Sequence, residues 1–126
     1  PCFMWWLQGN KPPRVEDAVL STVWSIPTLA NTDERPDHPT PKPLPLFEIP
    51  MRQHTHRGEV CYEPFAGSGT QIVAAQRLGR RCFAMEISPA YCDLVTRRFI
   101  SLAGESAVSP AIARKYRAPK RNRGVA

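Results

Sequence analysis

The sequence predicts an α/β unit, and three features carry that expectation. A short apolar run, Glu59-Val60-Cys61-Tyr62, leads into a glycine-rich turn over residues 65–69. A helical pattern follows the turn at once, and a second apolar run, Cys82-Phe83-Ala84-Met85, follows the helix. That second run ends on an acid, Glu86. Strand, glycine turn, helix, strand and acid in this order describe one β-α-β unit with a ligand-accessible turn.

The elements can be justified from the amino terminus onward. Pro1-Cys-Phe-Met-Trp-Trp-Leu7 is apolar but far too short to span a bilayer, and reads as a buried strand or a sheet edge. Residues 8–22 read as a polar loop. Pro36, Pro39, Pro41, Pro43, Pro45 and Pro50 crowd a short stretch. Proline fixes φ and lacks an N–H donor, so residues 32–45 are expected as an extended arm. Leu46, Phe47 and Met51 then suggest a short helix packed on the sheet, kinked at Pro50. His54-Thr55-His56 falls at that helix's end and in the loop after it. Beyond the turn, Ile72, Val73, Ala75 and Leu78 recur at helical spacing, and Gly79 is the stop. Ser88 is a suitable helix cap and Pro89 a suitable first helical residue. Tyr91, Leu94, Val95, Phe99 and Leu102 form the apolar stripe of that last helix, and Gly104 ends it. Arg97 and Arg98 lie on the same helix and read as part of its solvated face.

Length and charge bound the chain further. At 126 residues one domain is the limit. The net charge of +6 resides in residues 114–126, which hold Arg114, Lys115, Arg117, Lys120, Arg121 and Arg123 and no acid. A tail of this kind gives salt-sensitive, sequence-blind affinity for double-stranded DNA, or is a solvated segment without a partner. Tyr116 within it is a candidate for stacking on a base. Cys2, Cys61, Cys82 and Cys92 show no metal-ligand spacing, and His38, His54 and His56 do not complete a set with them. No metal is assigned. Cys61 and Cys82 fall in predicted strands and read as buried free thiols acting as small hydrophobes. Free thiols without a signal peptide or a membrane span imply a reducing cytoplasm, with no membrane partner.

The turn indicates a class of ligand. Glycine lets a ligand approach bare backbone, and an acid about 20 positions further on is placed for ribose hydroxyls. A dinucleotide fingerprint wants a small third residue where this chain has Ile72, and a Walker turn wants a Lys where Thr70 follows Gly69 directly. The turn itself holds no cation for a pyrophosphate, and Glu63 just before it would repel one. S-adenosylmethionine carries a sulfonium and an ammonium and no phosphate, and fits these residues better.

With these residues in place, a resemblance is apparent. Glu63-Pro-Phe-Ala-Gly-Ser-Gly-Thr70 resembles motif I of the amino-directed DNA methyltransferases, which methylate adenine N6 or cytosine N4. His38-Pro-Thr-Pro-Lys-Pro43 resembles their motif X. Arg80-Arg81-Cys-Phe-Ala-Met-Glu86-Ile-Ser-Pro-Ala-Tyr91 resembles motif II and the helix after it. The order X, I, II is the permuted order of the β group, and the flavour is that of the phage-type modification methylases. The clear match runs over residues 38–99. A looser one covers residues 1–27, where Val23-Trp24-Ser-Ile-Pro27 is similar to a segment upstream of motif X.

The resemblance implies a partial Rossmann-like S-adenosylmethionine-dependent methyltransferase fold with a proline-rich arm and a basic C-terminal tail. Residues 1–104 would be the C-terminal portion of the methyltransferase domain, and residues 105–126 a disordered basic tail. Phe65, Ala66, Gly67, Ser68 and Gly69 would form the turn beside the cofactor. Backbone N–H groups of Gly67 to Thr70 would meet the methionine carboxylate, Glu63 the ammonium side, and Glu86 the ribose. By resemblance, Thr40 and Lys42 would reach the methionine moiety from motif X. The family's Asp/Asn/Ser-Pro-Pro-Tyr catalytic motif occurs nowhere in this chain. No catalytic residue is therefore assigned, and the acceptor half of the site is expected from a missing N-terminal portion or a complementing chain. Two alternatives stand beside this reading. One is a non-catalytic or truncated module that binds S-adenosylmethionine or DNA. The other is a nucleotide-dependent oxidoreductase, against which Ile72 and the proline arm count.

Overall fold

The computed structural model describes residues 8–9, 23–27 and 42–117. The expected strand at residues 1–7, most of the arm and the tail after residue 117 lie outside the described residues. Over the rest, the order is α1 (Pro45–His54), β1 (Val60–Glu63), α2 (Thr70–Leu78), β2 (Arg81–Ala84), α3 (Pro89–Ala103), a 3-10 turn (Glu105–Ala107) and α4 (Pro110–Tyr116). The two strands are parallel, with Val60 opposite Arg81, Cys61 opposite Cys82 and Tyr62 opposite Phe83. This is the β-α-β unit expected from the sequence, with strand boundaries moved by one residue.

Local chemistry explains where the elements start and stop. Pro45 opens α1 at a position where the missing N–H costs nothing. Pro45, expected as the last residue of the extended arm, is therefore helical. Pro50 lies inside α1, yet the helix continues to His54. Gly79 closes α2 in the left-handed region, its N–H donating to the Ala75 and Gln76 carbonyls. The Arg57 guanidinium lies against it, 2.9 Å from where a Cβ would stand.

Period-two alternation divides the sheet into two faces. Cys61 and Cys82 point to the side covered by helices, where Leu44 and Phe47 join them around Met51, Ala74, Ala75 and Leu78. Helix α1 reaches this cluster by packing on α2 rather than lying flat on the sheet. Burying Met51 or Leu78 contributes about 2 kcal/mol each. Both thiols are free and half-buried. Burial, then the charges of Cys61 and Glu63, pushes the Cys82 thiol up to about 11. Val60, Tyr62, Phe83 and Met85 are exposed, and the Tyr62 hydroxyl donates to the Met85 sulfur at 2.9 Å.

The C-terminal segment departs from expectation. Residues 110–116 are helical, not disordered. Ser109 caps α4 by accepting from the Ile112 N–H at 3.4 Å, and Pro110 follows as the first helical residue. Ala113 is buried. Tyr116 is half-buried and not presented for stacking on a base. Its hydroxyl donates to the Asp93 carboxylate, and its ring lies 5.1 Å from the Arg97 guanidinium and 4.9 Å from the Lys115 ammonium. Lys115 pairs with Asp93 at 3.3 Å and Arg117 with Glu105 at 2.6 Å. Two of the tail's six cations are thus already matched by acids. Leu102, expected on the apolar stripe of α3, is exposed.

Among the described residues, no helix is long and apolar enough to cross a membrane. None of their His, Cys, Asp and Glu side chains form a group of three or more suited to a metal ion.

Candidate cofactor-binding site

The glycine turn leaves β1 at Glu63 and enters α2 at Thr70, at the carboxyl edge of the parallel pair. Ligands in open α/β sheets bind at that edge. A cavity of about 700 Å³ opens there. Glu63, Phe65, Ala66, Gly67, Ser68 and Thr70 line it from the turn, Met85, Glu86 and Ile87 from the end of β2. Lys42 and Phe47 close one side and Tyr91 another. The structure thus brings together every candidate named from the sequence except two. Thr40 lies outside the described residues. Gly69 backs the turn instead of lining the cavity.

Gly69 is where the chain has no choice of residue. Its φ is +73°, and a Cβ there would stand 2.8 Å from a Val95 methyl on α3. Both the left-handed backbone and the close approach require glycine. This contact seats the turn directly against α3.

Carboxylates organise the turn from the sheet side. Glu63 Oε1 accepts from the Phe65 N–H at 2.8 Å. Glu86 Oε2 accepts from the Gly67 N–H at 2.7 Å, and its Oε1 from the Ser88 N–H at 2.9 Å. The Ala66 N–H donates to the Met85 carbonyl at 2.9 Å, and the Gly69 N–H to the Ala66 carbonyl at 2.8 Å. The backbone cradle expected over Gly67 to Thr70 is therefore narrower. The Gly67 and Gly69 donors are engaged inside the turn, and those of Ser68 and Thr70 stand at the start of α2, where intrahelical acceptors are missing.

Arg98 corrects the reading of α3. It is not on a solvated face: its Nη1 donates to the Ser68 carbonyl at 2.9 Å and to Thr70 Oγ1 at 3.3 Å, in half-buried surroundings. Thr70 Oγ1 also lies 3.2 Å from Ser68 Oγ. The signal was present in the spacing, because Arg98 follows Tyr91, Leu94 and Val95 by seven, four and three positions and so shares their face. Phe47, Gln71 and Ile87, which also line the cavity, were not anticipated as lining residues.

A glycine turn wedged between two carboxylates and a half-buried guanidinium, at the carboxyl edge of a parallel β-α-β unit, has the form of a nucleoside-type pocket. A family profile described as DNA methylase, that of the N6/N4 methylases, matches residues 7–97, and the chain belongs to that family. It is 33% identical over 91 residues to the DNA adenine methyltransferase YhdJ of Escherichia coli (strain K12), covering 71% of this chain and 31% of that protein. It is 39% identical over 61 residues to the type II methyltransferase M2.DpnII of Streptococcus pneumoniae, covering 48% of this chain and 23% of that one. The crystal structure of M1.HpyAVI in complex with SAM superimposes with a TM-score of 0.58 at 26% identity, over 68% of this chain and 43% of that one. The fold is thus part of the S-adenosylmethionine-dependent methyltransferase architecture. The chain spans less than a third of the length of either curated relative.

Proposed function

We propose that this chain carries the S-adenosylmethionine-binding half of a site-specific DNA methyltransferase acting on adenine N6 or cytosine N4. The observation that carries the reading is the donor set of the cavity: two carboxylates and a glycine turn, with Lys42 as the one cation among the described lining residues. That set suits a ligand with cationic sulfur and nitrogen and a ribose, and suits a pyrophosphate poorly. When bound, S-adenosylmethionine supplies an electrophilic methyl group. The chain's own residues position it: Glu63 faces the ammonium side, Glu86 the ribose hydroxyls, and the start of α2 the carboxylate. A carboxylate offers about four acceptor directions, so Glu86 can hold the turn and accept from hydroxyls together. Thr40 and Lys42 are assigned to the methionine end by motif resemblance.

The order of motifs X, I and II supports the permuted β-group arrangement of the phage-type enzymes, and the type II name of M2.DpnII supports a restriction-modification setting. Double-stranded DNA is the proposed substrate, held in part by the basic C-terminal segment. The free Cys61 and Cys82 thiols suit a cytoplasmic setting. The sequence contains no Pro-Pro-Tyr motif to grip a flipped base. That favours, as a second reading, a chain that binds cofactor and DNA without transferring a methyl group by itself.

Titration calorimetry tests the cofactor reading. Glu86→Ala is expected to weaken S-adenosylmethionine binding at least tenfold, and equal affinity would remove the ribose role. With tritiated cofactor, the chain alone is expected to label no DNA. Labelled product would show that the catalytic group lies among residues given no such role above.

A further inference from the structure

The hydrogen bonds of the turn fall into two linked peptide planes. In the Ala66–Gly67 peptide, the carbonyl accepts from the Gly69 N–H and the N–H donates to Glu86. In the Ser68–Gly69 peptide, the carbonyl accepts from Arg98 and the N–H donates to Ala66. The C=O and N–H of a trans peptide point in opposite directions, so fixing both ends fixes the plane. The turn is strung between an acid after β2 and a guanidinium on α3. Gly69 alone has the backbone freedom to let this plane rotate, and Arg98 holds the carbonyl that such a rotation would carry away.

The charge of Arg98 has a second consequence. The guanidinium is bonded to Ser68 and Thr70 at the first turn of α2 and is not among the residues that line the cavity, as Glu63 and Glu86 are. A cation there adds to the positive end of the helix dipole and offsets the two carboxylates for an anionic group arriving at the Ser68 and Thr70 amides.

We infer that Arg98 is a positioning residue for the carboxylate end of the cofactor, acting through the Ser68–Gly69 peptide without touching the ligand. This rests on the S-adenosylmethionine reading above. It requires Arg98 to matter for the amino-acid portion of the ligand and little for the nucleoside portion, which Glu86 serves.

Calorimetry with two probes separates these portions. S-adenosylhomocysteine carries the amino-acid carboxylate, and 5′-methylthioadenosine lacks it. Arg98→Met is expected to weaken S-adenosylhomocysteine roughly tenfold, the worth of one charge-assisted hydrogen bond, and methylthioadenosine less than about twofold. Arg98→Lys, which keeps the charge but not the fork, is expected to recover part of the loss. Equal losses on both probes, or none on either, would overturn the inference. Hydrogen exchange of the ligand-free protein gives an independent reading: the Gly69 amide should exchange faster in Arg98→Met, and an unchanged rate would also overturn it. If the wild-type chain binds neither probe, the S-adenosylmethionine reading fails, and exchange at Gly69 alone decides whether Arg98 orders the turn.

Discussion

Helix α3 holds two neighbours from opposite sides, and it holds them differently. Val95 and Arg98, three residues apart on one face, clamp the glycine turn. Asp93 and Arg97, four apart on another, hold α4 through Tyr116 and Lys115. The first attachment is a methyl against a Cα and a guanidinium on a backbone carbonyl in half-buried surroundings. The second consists mainly of exposed ion pairs, with cations over one ring. Exposed pairs are screened and worth little, whereas contacts that leave no room for a Cβ admit almost no substitution. The site side of α3 is therefore expected to be rigid, and the α4 side adjustable.

The sharpest way to break this contrast is Gly69→Ala. The new methyl must accept a left-handed backbone and a Val95 methyl at 2.8 Å, and Val95 is β-branched with few rotamers to offer. Strain and overpacking together are expected to cost about 3 kcal/mol in urea unfolding and to abolish cofactor binding. Adding Val95→Ala should return the packing part and leave the φ strain. Full recovery in the double variant would show that the conformation of Gly69 costs an alanine nothing.

Removing residues 110–126 tests the other side. Among its described residues, Ala113 and the half-buried Tyr116 ring are the main apolar contributions, so the loss is expected near 1 kcal/mol. DNA retention at low salt should fall clearly in the same variant. Unchanged retention would move the DNA-binding charge to another surface, such as the exposed Arg52, Arg57 and Arg81 around the opposite end of the strands.

The same contrast separates what the sequence made legible from what it hid. Strand, turn, helix and strand could be read because each boundary is written locally: positive-φ glycines at 69 and 79, and a proline at the start of α3. Helix α4 carries the same kind of signature, Ser109-Pro110, as Ser88-Pro89 does for α3. The unbroken positive charge of residues 114–126 masks it, because the matching acids, Asp93 and Glu105, lie outside that window. The role of Arg98 is hidden for a related reason. Its face follows from helical spacing, but its partner, the Ser68 carbonyl, lies 30 residues away and is set by how α3 crosses the turn. The dual role of Glu86 was half legible. An acid after β2 is a sequence feature, but its hold on the Gly67 amide exists only once the turn is folded.

The smallest effect expected concerns pH and sharpens the α4 side alone. The Tyr116 hydroxyl, then Lys115, holds the Asp93 carboxyl below its ordinary value of 3.8, and Arg117 holds Glu105 below 4.5. Both are acids with lowered folded-state pKa values. Their contribution is complete above those ordinary values and is lost as pH falls through the lowered ones. Acidification below about pH 3.8 should therefore release α4, while the Gly69–Val95 contact and the Arg98 bond to the Ser68 carbonyl, neither of which involves a carboxylate, persist longer. Ala113 and Tyr116 resonances followed from pH 6 to 2 would report the release, and Gly69 would report the turn. Asp93→Asn keeps an acceptor for Tyr116 but removes the titration at that position, so its Tyr116 transition should shrink. High salt should mimic part of the acid effect on Lys115 and Arg117, because both pairs are exposed. If α4 and the turn instead lose their signals together at one pH, the two sides of α3 form one cooperative unit, and the proposed difference between them does not exist.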